Sequence, residues 1–203
     1  MSTNNHDSPA SSGTKLRVVG AAVEPGSVGA AIQRASERRD AMHVPLSGLY
    51  QIAFVTTDLD QAMMLFAGTY GISKFKIKRD LLSGPEMPRM RVHVAHAYVG
   101  PMMIELIQPA GGEDGLYREI LPANGFAIRP HHFGFMVRSE QELERISAAL
   151  ETRNVPIAFD TSTTGVARAV YADARNSLGH YLEYVYLKPE ARPSYYAQVP
   201  HNG

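Results

Sequence analysis

Four residues of this chain pair a chemically capable side chain with an apolar, strand-like setting: Gln51, Glu105, His132 and Glu183. Glu105 stands between Ile104 and Leu106, and Glu183 between Leu182 and Tyr184. A carboxylate in the middle of an apolar strand is costly to bury without a counter-charge. Two of them at matched places need a shared cation, which a divalent metal would supply. Gln51 and His132 sit near the start of two further strand-like runs, LYQIAFVT and HHFGFMV. Each is followed two residues on by a small residue, Ala53 or Gly134. Residues two apart on a strand share a face, so the small neighbours leave room for a ligand. Three oxygens and one nitrogen on a six-coordinate ion leave two positions for water or substrate. Singly, a strand Glu is commonly an edge charge and a lone His a core or surface residue. The weight lies in their coincidence.

The elements that must position these residues occur twice in the same order. LYQIAFVT reads as a strand. Thr57 and Asp60 are spaced like a capping box, and a helix through Ala62, Met63 and Phe66 ends at Tyr70-Gly71. SKFKIKR alternates, with Phe75 and Ile77 on one face and Lys74, Lys76 and Lys78 on the other. LLSGPEMP reads as a loop; MRVHVAHAYV and MMIELIQP read as strands. After a connector over 109–129, with a short helix at Leu116, Tyr117 and Ile120, the order returns. HHFGFMV is a strand, Ser139 and Glu142 form a second capping box, and Leu143, Ile146 and Leu150 keep helical spacing. PIAF, VARAVYA and HYLEYVYL complete the unit. His132 follows Gln51 by 81 residues and Glu183 follows Glu105 by 78. The reading is an α+β fold of two tandem βαβββ modules, 47–108 and 130–187, whose mixed sheets enclose a cavity. Residues 1–14 read as a disordered tail and 15–46 as an extension with a helix capped by Ser27. Residues 188–203 read as a Pro-rich tail with Tyr195 and Tyr196 as anchors.

Composition narrows the function. The hydrophobic fraction of 44% supports a core, and 20 basic residues balance 20 acidic ones. That balance argues against a nucleic-acid partner and offers no attraction to an anionic membrane. No run approaches the length of a membrane span, and the start lacks a signal or transit pattern, so the expected location is cytoplasmic. There is no Cys, so a metal would be held by His, carboxylate or amide oxygen. Of His93 and His96, which face opposite ways, one could line the cavity. His180 does not share the face of Glu183. Met103 and Tyr181, two residues before their strand's Glu, are expected to line the pocket. Lys74, Arg129 and Arg168 are candidates for gripping an acidic substrate. Exposed sheet edges suggest a homodimer.

The stretches YQIAFVTTDLDQA, MMIELIQP, HHFGFMV and HYLEYVYL, joined by GGEDGLYREIL, resemble the vicinal oxygen chelate superfamily. It includes glyoxalase I, methylmalonyl-CoA epimerase, bleomycin and fosfomycin resistance proteins and extradiol dioxygenases. The resemblance covers about residues 47–187 and is strongest to the glyoxalase I and methylmalonyl-CoA epimerase type. It implies metal ligands at Gln51, Glu105, His132 and Glu183, with His132 rather than His131 chosen because it directly precedes Phe-Gly-Phe. It implies one divalent ion, zinc first, with nickel, cobalt or manganese as alternatives. It further implies an isomerase, epimerase or lyase acting on a small molecule by proton transfer next to a carbonyl, through a metal-stabilised enediolate. Glu183 would be the base, with Glu105 second. The alternatives are a metal-free binding protein of the bleomycin-resistance kind and, disfavoured by the ligand set, a ring-cleaving dioxygenase.

Overall fold

The structure is a computed structural model that describes residues 43–83, 89–161 and 166–203. The helix expected after Ser27 and part of the LLSGPEMP segment lie outside the described residues. The first module runs β1 (Leu49–Thr56), α1 (Leu59–Tyr70), β2 (Lys76–Ser83), β3 (Met90–Val99) and β4 (Met102–Gly111). A short helix, α2 (Gly115–Arg118), lies in the connector. The second module runs β5 (Ile128–Val137), α3 (Glu140–Thr152), β6 (Ile157–Asp160), β7 (Ala167–Asp173), α4 (Arg175–Leu178) and β8 (Tyr181–Leu187). The chain ends in a 3-10 turn (Pro189–Ala191), α5 (Arg192–Tyr196) and β9 (His201–Asn202).

The two modules form one curled sheet rather than two facing ones, in the order β2-β3-β4-β1-β5-β8-β7-β6, with β9 beside β3. β1 runs parallel to β4, β5 runs parallel to β8, and antiparallel β1 and β5 join the modules edge to edge. The α+β duplicated fold read from the pattern is the observed one. Both long helices cover the same face of the sheet. α1 buries Leu59, Ala62 and Phe66 against Ala95, Ala97 and Leu106. α3 buries Leu143, Ile146 and Leu150 against Phe135, Leu182 and Tyr184. Each Leu, Ile or Phe side chain so removed from water contributes about 1.5–3 kcal/mol, which fixes which face the helices cover. The opposite face is left free to hold polar chemistry.

Two local expectations are corrected. The cap of α1 is Asp58, not Thr57: its carboxylate accepts from the Gln61 backbone N–H at 2.9 Å and the Gln61 side chain at 2.8 Å. Thr57 instead donates to the Gly125 carbonyl and accepts from Ala127 N–H, tying the helix start to the connector. Leu81, Leu82 and Ser83 belong to β2, because a bulge at Arg79 and Asp80 lets the ladder with β3 resume. The C-terminal segment is ordered secondary structure that returns to the first module. At α3, the Ser139 hydroxyl accepts from Glu142 N–H as expected, while the Glu142 carboxylate reaches Arg138 N–H.

Asp58→Ala is expected to lower stability by about 0.5–2 kcal/mol, read by chemical denaturation. An unchanged midpoint would show that water replaces the cap without cost.

Candidate active site

The register of four adjacent strands brings the four singled-out residues together within one chain. Ala53 lies between Glu105 on β4 and His132 on β5, and Gly134 lies between Gln51 on β1 and Glu183 on β8. Two rows of three positions therefore stand side by side, Glu105–Ala53–His132 and Gln51–Gly134–Glu183. The two small residues sit at diagonal places, so the polar side chains lean over them and converge. Gln51 Nε2 donates to Glu105 Oε2 at 2.9 Å. His132 Nε2 lies 3.2 Å from Glu183 Oε2 and 3.4 Å from Glu105 Oε2.

Two β-bulges add residues that strict alternation would send to the helix-covered face. The β1–β5 ladder skips Tyr50 on one strand and His131 on the other. His131 is thereby buried beside His132, with their Nδ1 atoms 2.8 Å apart. His131 Nε2 faces the Leu116 carbonyl at 2.9 Å, so that nitrogen carries a proton. Burial, then the neighbouring His132 charge, pushes His131 down to about 3, so at neutral pH its Nδ1 is bare and accepts. His132 Nδ1–H must be the donor. The tautomer of His132 is thus set from behind, and its Nε2 is left facing two carboxylates.

Three electron-rich atoms facing one another require a positive charge. His132 Nε2 and Gln51 Oε1 are both buried without a hydrogen-bond partner. In the ion-free chain a proton on His132 answers the need: burial opposes it, but Glu183 and Glu105 outweigh burial and push the imidazole up to about 9. Burial likewise raises Glu105, yet the adjacent His132 and His96 imidazoles outweigh it and hold its carboxyl well below the usual range. Among the described residues no group of three or more His, Asp or Glu side chains stands as a ready-made metal cage. The donor set nevertheless suits one. At metal–ligand distances of about 2.0–2.2 Å, neighbouring ligands at right angles sit about 3 Å apart, close to the separations around His132. Rotating the Gln51 amide by half a turn would exchange Nε2 for the unpartnered Oε1, a near-isosteric change.

The two carboxylates differ in freedom. Glu105 is held by His96 Nε2 at 2.9 Å on one oxygen and by Gln51 on the other. Apart from its contact with His132, Glu183 has no hydrogen bond or ion pair among the described residues. His96 sits directly opposite Glu105 on β3, so of the two strand histidines it is the one at the site. His93 instead accepts from Asp80 N–H on the sheet's edge.

A cavity of about 210 Å³ opens over the cluster, lined by Gln51, Glu105, Glu183, Tyr50 and Tyr195 among others. Burial first, and then nearby carboxylates, raises both phenols, which keeps them protonated donors. Several expectations fail here. Met103 is fully buried and Tyr181 is turned onto Glu119 and His131, and neither lines this cavity. Arg168 is held by Asp160 and Glu144. Arg129 lines a separate apolar hollow beside Phe54 and Phe66, beneath α1. Lys74 contributes backbone contacts to Asn202. His180 packs against the Phe133 ring away from the cluster, as expected. Sequence reasoning missed His131 and Tyr50, whose signal is a bulge that periodicity cannot show. The positioning role of His96 depends on the cross-strand register of β3 and β4, and the placement of Tyr195 on contacts distant in sequence.

A Cβ at Gly134 would lie 2.6 Å from Gln51 Oε1 and 2.9 Å from Gln51 Cβ. Gly134→Ala is therefore expected to cost about 1–3 kcal/mol of stability, measured by denaturant titration. Wild-type stability would show that the strands yield without strain.

Comparison with known proteins agrees with this architecture. A methylmalonyl-CoA epimerase of Streptomyces coelicolor, in complex with 2-nitronate-propionyl-CoA, superposes with TM-score 0.50 at 19% identity, covering 71% of this chain and 99% of that one. A methylmalonyl-CoA epimerase in complex with methylmalonyl-CoA and NH4+ gives TM-score 0.51 at 18% identity, covering 71% and 97%. At such identities the likeness is one of fold. Among curated proteins no sequence match reaches significance. The model of the glyoxalase/bleomycin resistance protein/dioxygenase superfamily matches residues 50–171. With its duplicated βαβββ sheet and a match over more than half its length, the chain belongs to that superfamily.

Proposed function

We propose that this chain is a metal-dependent isomerase or epimerase that moves a proton on a carbon next to a carbonyl of a small molecule. The observation that carries the reading is the convergence of Glu105, Glu183 and Gln51, with its unpartnered oxygen, on one cavity, and of His132 Nε2 on both carboxylates within 3.4 Å. A divalent ion held by Gln51, Glu105, His132 and Glu183 would supply the positive charge that stabilises an enediolate oxygen. With a neutral amide, a neutral imidazole and two carboxylates, the bound site would carry no net charge.

The protein's own groups divide the remaining work. Glu105 holds its place because His96 Nε2 anchors one of its oxygens, independently of how the Gln51 amide is turned. Glu183 lacks such anchors, so it is the carboxylate able to swing toward a substrate C–H and take its proton. His131 keeps His132 in one tautomer. The apolar walls on β7 and β8, Ala169 and Val185, exclude water from the reacting carbon. The small cavity accepts a short oxygenated acid or the acyl end of a longer thioester; the epimerases named above bind such acyl-CoA ligands.

A metal-free binding protein is the second reading, favoured by the ability of a protonated His132 to answer the carboxylates alone. Metal analysis of untagged protein separates the two. The enzyme reading expects close to one equivalent of divalent ion, at least tenfold weaker binding in His132→Ala, and loss of activity on chelation. It also expects deuterium from solvent to enter candidate thioesters or α-hydroxyketones. Glu183→Gln should keep the fold and abolish that exchange. Full exchange in Glu183→Gln would overturn the assigned base, and metal-free wild-type protein that also resists loading would overturn the metal.

A further inference from the structure

We propose that Tyr195, carried on the C-terminal segment, contacts the substrate and donates a hydrogen bond to one of its oxygens. The proposal rests on the reading of the cavity above the Glu105–His132–Glu183 cluster as the substrate site.

The C-terminal segment is a strap fastened at both ends to different modules. Near its start, Lys188 N–H bonds to the Val166 carbonyl, and the Arg192 guanidinium donates to the carbonyls of Leu187 and Arg138. At its far end, Tyr98 N–H bonds to the Pro200 carbonyl and β9 adds to the edge of β3. The His201 ring stacks on Tyr98 at 4.8 Å. Asn202 Oδ1 accepts from Ser73 and Lys74 N–H, and its Nδ2 donates to the Lys74 carbonyl. Val199 is buried between these anchors. A strap held this way has little freedom, and α5 puts Tyr195 into the cavity wall beside Gln51, Glu105 and Glu183.

The chemistry of the cavity calls for such a group. Its two carboxylates are acceptors only, and a substrate with two oxygens needs a donor for the one that the cluster does not engage. Among the described residues the Tyr195 hydroxyl has no hydrogen-bond partner, so it is available to a ligand. The Tyr50 hydroxyl is in the same position on the same cavity. Phenols stay protonated at neutral pH and bring large contact area at low entropic cost. The ligand class that fits is a short compound with vicinal or 1,3-related oxygens, at least one carbonyl or anionic.

The test uses the full chain labelled with 3-fluorotyrosine, with the Tyr195 resonance assigned through Tyr195→Phe. Cobalt(II) is added first, and then acetohydroxamate as a planar two-oxygen probe; both titrations are repeated in reverse order. The expected result is that the Tyr195 resonance moves with the hydroxamate. Tyr195→Phe should bind cobalt as wild type does but hold the hydroxamate about tenfold more weakly. Hydroxamate binding that leaves the Tyr195 resonance unmoved, with equal affinity in Tyr195→Phe, would overturn the proposal. If cobalt fails to bind while hydroxamate alone still moves Tyr195, the metal reading fails and this one stands. If the probe binds in neither condition, both fail.

Discussion

The site depends on one electrostatic constraint: an imidazole nitrogen fixed to face two buried carboxylates. Glu105 and Glu183 approach His132 Nε2 within 3.4 Å and 3.2 Å. Left alone, two carboxylates at that spacing would drive the strands apart or take up protons. A positive charge between them reverses the sign of the interaction, and a proton on His132 or a divalent ion can provide it. His131 removes a third option, rotation of the ring, because its Nδ1 and the Leu116 carbonyl together admit one tautomer.

Strand pairing is what makes the constraint geometrically possible. The parallel β1–β4 and β5–β8 pairs and the antiparallel β1–β5 seam are related by an approximate two-fold, so each module contributes one carboxylate and one β1-type residue. Ala53 and Gly134 occupy the two places between them, where any larger side chain would fill the centre. The apolar cores under α1 and α3 lie on the far side of the same strands. Their burial fixes the sheet's facing, so the stability of the fold holds polar groups in positions they would not otherwise occupy.

Two departures from regular strand geometry fall at the central seam, beside the cluster. The bulges at Tyr50 and His131 interrupt the central seam and deliver a phenol and a second imidazole to the inner face. A bulge on β2 re-aims an edge strand whose Leu81 and Ser83 line the cavity. The superfamily match ends at residue 171, while Glu183 and Tyr195 lie beyond it. The parts that tailor the cavity in this chain thus include its last strand and its strap.

The sequence by itself determined the α+β duplicated fold and the convergence of Gln51, Glu105, His132 and Glu183, because both follow from short-range regularities. Apolar alternation set the faces, a repeated element order set the modules, and carboxylates at apolar strand positions stood out as energetically anomalous. It misplaced the α1 cap because Thr57 and Asp58 are both competent caps, and only the competing bonds of Thr57 to Gly125 and Ala127 decide between them. Tertiary structure alone decided that the four residues meet within one chain, that Arg168 is committed to Asp160 and Glu144, and that Glu105 is held by His96 and Gln51 while Glu183 touches only His132. It alone placed Tyr50 and Tyr195 at the cavity and His131 against His132. Those outcomes rest on bulges, cross-strand register and side-chain contacts made only in the folded chain, and the spacing of one chain's residues carries no record of them.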